Sequence, residues 1–95
     1  MELKTAIERL LNAVEQDTNA SAGAATVLLF GWNSGHPIRG LMSLDAMNST
    51  AALTVIKAAL SRRLNGGTMI QDVVGYGTIS DLAQLYGANG SVWKN

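Results

Sequence analysis

Residues 22–32, AGAATVLLFGW, carry no charge and, wound as a helix, leave no polar face. A helix without a polar face has to be buried, so this stretch sets the plan: other elements must cover it. Val27 to Phe30 also suits a short buried strand, because a run this short has no telling period. The alanine-rich lead-in favours helix, with Ser21 as its N-cap. Gly23 and Gly31 each weaken such a helix by up to ~1 kcal/mol relative to Ala, which makes sense if they let another helix approach closely. Asn33-Ser34-Gly35-His36-Pro37 ends it. Asn and Gly supply left-handed geometry there, and Pro37 disfavours helix at His36.

Two further helices can be read as covers. Over residues 2–16, Leu3, Ile7, Leu10, Leu11 and Val14 fall on one side, with Glu2, Lys4, Glu8, Arg9, Asn12 and Glu15 on the other. Over residues 49–64, capped by Asn48 or Ser49, the predicted inner stripe is Leu53, Ile56, Leu60 and Leu64, flanked by Ala52, Val55 and Ala59. Arg62 and Arg63 suit its last turn, and Asn65-Gly66-Gly67 stops it. Between these covers, Pro37 to Leu44 reads as a short helical turn or an extended loop, with Leu41, Met42 and Leu44 tucked onto the core. After Gly67, Thr68 caps a short helix over 69–74. Gly75-Tyr76-Gly77 breaks it, and another helix runs through Tyr86 with Leu82, Leu85 and Tyr86 inward. A hairpin over 68–79 is the alternative. Trp93 is expected to dock on the body. The fold class is all-α: one domain over residues 1–95, a small bundle of four to five helices around a buried central helix.

Charge narrows the function. Seven basic and seven acidic residues balance, and charged residues are 15% of the chain beside 47% hydrophobic. The usual charged share is ~25%, so part of the surface is expected to be covered by a second copy or another protein. No basic excess points to nucleic acid. Acidic residues lean to 1–31 and basic ones to 32–64, a split that suits packing or self-assembly. Cysteine is absent, which removes disulfides, thiolate metal sites and cysteine nucleophiles. The charged N-terminus is not a signal peptide, and no run approaches the ~20 apolar residues of a membrane span, so the expected setting is the cytoplasm. The sequons at Asn19, Asn48 and Asn89 read as helix starts and a turn.

No catalytic set emerges. His36, the only histidine, sits near Ser34, Arg39 and Asp45, but no G-x-S-x-G elbow surrounds Ser34 or Ser43. With one His and no Cys, a metal site within one chain lacks ligands, and no cofactor is implied. The glycine clusters lack the ends of a P-loop or dinucleotide fingerprint. Arg62-Arg63 alone is thin support for a DNA-binding regulator. Tryptophan is favoured at interaction hot spots. The candidate binding residues are therefore Trp32, Asn33, His36, Arg39, Asp45 and Trp93.

From Ala25 to Leu60, ATVLLFGWNSG followed by LMSLDAMNSTAALTVIKAAL resembles an uncharacterised family of small proteins from bacterial plasmids, phages and integrated elements. The residues that carry the likeness are Leu28, Leu29, Trp32, Asn33, Leu41, Leu44, Asp45, Leu53, Val55 and Ile56. The resemblance implies no established activity, only a setting inside a bacterial host. The expected function is a non-enzymatic, self-associating binding protein of phage or mobile-element type. It acts on a protein surface, for instance by inhibiting a host defence complex. The alternative is a homo-oligomer holding a small ligand or nucleotide between subunits.

Overall fold

The computed structural model describes residues 1–16, 20–33, 35–61 and 68–86, which form five α-helices and one 3₁₀ turn. These are α1 (Leu3–Glu15), α2 (Ser21–Trp32), the 3₁₀ turn Leu41–Ser43, α3 (Ala46–Leu60), α4 (Thr68–Val74) and α5 (Tyr76–Tyr86). Among the described residues there is no strand, so 68–79 is helical and not a hairpin. The expectations for Arg62, Arg63, Leu64 and Trp93 fall outside the described residues.

The all-α bundle has α2 at its centre. α1, α3, α4, α5 and the 3₁₀ turn all pack on it. Burial runs round the whole helix: Gly23, Ala24, Ala25, Thr26, Val27, Leu28, Leu29 and Gly31 are all buried. Phe30, expected in the buried spine, is only partly covered. Ser21 does not cap α2; the helix begins at Ser21, and Ala20 precedes it. The Ser21 hydroxyl donates instead to the carbonyls of Ala13 (3.2 Å) and Val14 (3.3 Å), tying the start of α2 to the end of α1.

The covers turn their alanines inward. α1 buries Ala6, Ile7, Leu10 and Ala13, while Leu3, Leu11 and Val14 flank the core. α3 departs further from expectation. It starts three residues early, at Ala46, because Asp45 is its cap: Oδ1 accepts the Asn48 N–H at 2.8 Å. Its buried residues are Ala51, Ala52, Val55 and Ala58. Leu53 and Leu60, predicted to face inward, are 56% and 71% exposed. The physical reason is room. α3 lies against both α1 and α2, and short side chains let three helices draw close where a leucine stripe would hold them apart. The helix is apolar nearly all round, so hydrophobicity alone could not choose its inner side.

Three smaller corrections follow. Leu41 and Met42 are exposed, and of that segment Ile38 and Leu44 pack against the core, because the chain is held to α2 through its backbone. On α5, Leu82 is buried and Tyr86 partly so, but Leu85 is exposed. The break between α4 and α5 is the single residue Gly75, at φ 85°, so α5 begins at Tyr76 and runs through Gly77.

Two substitutions test this account. A Cβ on Gly23 would stand 2.6 Å from the Gly40 carbonyl oxygen, a backbone atom that cannot swing aside. Gly23→Ala should therefore lose about 1–2 kcal/mol in urea denaturation, overpacking outweighing the gain in helix propensity. Asp45→Ala should lose about 1 kcal/mol while Asp45→Asn, which still caps, stays within a few tenths.

Candidate functional site

The end of α2 is shaped by the backbone and side chain of Asn33. The Asn33 N–H donates to the Leu29 carbonyl at 2.7 Å, closing the last turn. Its backbone then goes extended (φ −149°, ψ 109°), not left-handed as expected. The Asn33 side chain makes the turn: Oδ1 accepts the Gly35 N–H at 2.9 Å, and the His36 N–H donates to the Asn33 carbonyl at 3.0 Å. An Asx turn of this kind needs no positive φ. It brings the His36 ring beside Trp32, with centroids 6.0 Å apart and planes inclined by 38°. Trp32 is partly buried and flanks the core cluster.

The chain is then pinned to α2 by Thr26. Its hydroxyl accepts the Arg39 N–H at 3.1 Å and lies 2.9 Å from the Arg39 carbonyl, to which it donates. Both backbone groups of one loop residue are thus satisfied by one buried side chain. Gly40 follows at φ 75° and passes against Gly23, one turn before Thr26 on the same side of α2. Gly23 therefore admits a loop, not a helix. Gly31 meets the Val55 and Ile70 side chains, as close helix packing was expected to require. Arg39 is held through its backbone. Its side chain is exposed, and Nη2 stands 3.5 Å from the Tyr86 carbonyl, where a cation suits the end of α5.

The structure therefore brings together Trp32, Asn33 and His36 and places Arg39 nearby by its main chain. Asp45 works apart from them as the cap of α3, and Trp93 lies outside the described residues. Thr26 and the outer side of α3 were missed. A lone hydroxyl within an otherwise apolar helix was the available signal for Thr26.

His36 has an unusual setting for a loop residue before proline. It is 2% exposed, and neither Nδ1 nor Nε2 has a hydrogen-bond partner among the described residues. Leaving such groups unpaired costs roughly 1–3 kcal/mol each. Burial lowers its pKa from 6.5 by disfavouring the charged ring. A ring sealed from solvent, with no orienting carboxylate bonded to it among the described residues, lacks the arrangement of a general base there. Among the described residues, no three His, Asp or Glu side chains lie together as a metal site would need.

The unfolded chain takes up a proton near pH 6.5, and the folded chain only at lower pH. His36 thus leaves stability intact above that pH and removes it as pH falls below, until the lowered folded value is reached. Melting temperatures recorded from about pH 7.5 down to about pH 5 should fall for the wild type. His36→Phe should flatten that decline without loss at the upper end, since an apolar ring has no atoms to leave unpaired.

No curated protein and no solved structure matches the chain. No helix among the described residues is long and apolar enough to cross a membrane. One family does match, over residues 4–87, from the first turn of α1 to just past α5, so every element described above lies within it or reaches it. The chain belongs to DUF7673, a family of unknown function.

Proposed function

We propose that this chain is a small non-enzymatic binding protein that acts by occupying a protein surface, and that it does so through the outer side of α3. The observation that carries the reading is the exposure of large apolar side chains there. Leu53 and Leu60, two turns apart, project from the same side of α3, and Met42 just before the helix is 98% exposed. Grouped exposed apolar side chains of this size on a small protein mark interaction surfaces. The helix carries one charge, Lys57, so little must be desolvated when a partner covers it. The Trp32–His36 end, favoured from the sequence, has less support, because the His36 ring faces inward. The same burial weakens the alternative of a small ligand or nucleotide held between subunits by Trp32, Asn33, His36 and Arg39.

The resemblance of Ala25–Leu60 to small plasmid, phage and integrated-element proteins extends the proposal. On that likeness the proposed setting is the cytoplasm of a bacterial host, and the proposed target is part of a defence complex. Balanced charge favours a protein partner over nucleic acid.

Leu53→Lys combined with Leu60→Lys tests the proposal. Both side chains are exposed, so the melting temperature should hold within a few degrees. Immobilised wild-type protein should retain a defined protein from an extract of the source cells, and the double variant should lose it. Equal retention by both, or retention by neither, would overturn a foreign partner for this side of α3.

A further inference from the structure

The outer side of α3 has a spacing that the single chain does not use. Ala46, Thr50, Leu53, Lys57 and Leu60 are all exposed. They succeed one another at alternating steps of four and three residues, the seam along which two helices pack at a shallow angle. The inner side of α3 is already occupied by α1 and α2. We propose that α3 pairs with α3 of a second copy, antiparallel, about a two-fold axis beside residues 51 and 52. This rests on the protein-binding reading above and names the partner.

Charge chooses the orientation. A parallel pair would set Lys57 against Lys57 and Asp45 against Asp45. In the antiparallel pair each Leu53 faces Thr50 of the second copy, and each Lys57 faces Ala46. The short Ala46 side chain leaves room for the lysine stem, and the ammonium reaches the exposed Asp45 carboxylate at the head of the second helix. An isologous contact makes this pair twice. Leu60 continues past Asp45 toward the segment that carries Met42. The chain has no net charge to oppose association.

The area sets the strength. A standard interface covers ~800 Å² per partner, and the whole chain exposes 5345 Å². A seam of one fifteen-residue helix, about 22 Å long, sits at the low end of that scale. A contact of that size belongs with weak, concentration-dependent association.

Sedimentation equilibrium on the full chain from about 5 µM to about 1 mM should show monomer passing to dimer. Leu53→Glu should raise the Kd at least about tenfold, with the melting profile unchanged at concentrations where the wild type is monomeric. Lys57→Met and Asp45→Asn should each weaken the dimer, and the double variant should be no weaker than the worse single one, the mark of a direct pair. Because the chain has no cysteine, orientation can be read by cross-linking. Ala46→Cys and Lys57→Cys proteins, mixed and oxidised, should give the mixed disulfide and neither homodisulfide. A strict monomer throughout, a dimer indifferent to Leu53→Glu, or predominant homodisulfides would overturn the proposal. A strict monomer that still retains a foreign protein through α3 overturns self-pairing alone. Dimerisation without such retention supports self-pairing and counts only against a foreign partner.

Discussion

A helix with no polar side has to be covered on every side, and the architecture answers that requirement. α2 is touched by each of the other helices and by the 3₁₀ turn, so it acts as the axis of the molecule. Its composition sets what can touch it. Alanine and glycine admit close neighbours, while Val27, Leu28 and Leu29 supply apolar bulk. Three different devices hold the covers: the Ser21 hydroxyl on α1, the Thr26 hydroxyl on the Arg39 backbone, and the notch at Gly23 for Gly40. The two polar bonds matter because a buried hydroxyl costs free energy unless it has a partner.

The loop after α2 shows how little chemistry a suggestive sequence can hold. Trp, Asn, His and Arg within eight positions look like a site. In the fold, Asn33 shapes the turn, Arg39 is gripped by its main chain, and Asp45 caps another helix. His36 differs from them: its ring is sealed, with both nitrogens unpartnered among the described residues. Its consequence is a sensitivity of the fold to acid, working through the unfolded chain's greater appetite for a proton.

Attention therefore moves from the tryptophan end to α3. A helix that packs on alanines must show its larger side chains elsewhere, and here they stand on the outside in a regular seam. The low charge of the chain and the exposed leucines are then one fact seen twice. Residues spared from the core are available for a surface that a second molecule can cover.

That the chain is helical, with Ala22 to Trp32 at its centre, can be read from residue order alone. Both follow from local information: apolar residues without a polar face, glycine and proline as punctuation, and polar breaks between periodic segments. It also made plain that no cysteine chemistry exists. Packing in three dimensions chooses which side of α3 faces inward, since a helix apolar all round has no preferred face until its neighbours limit the space. It likewise decided that Ser21 and Thr26 serve as ties, that Asp45 rather than Asn48 or Ser49 begins α3, and that His36 is buried. Each of these depends on a contact with a residue distant in the chain or on competition between neighbouring caps. Residue type and spacing do not encode which competitor wins.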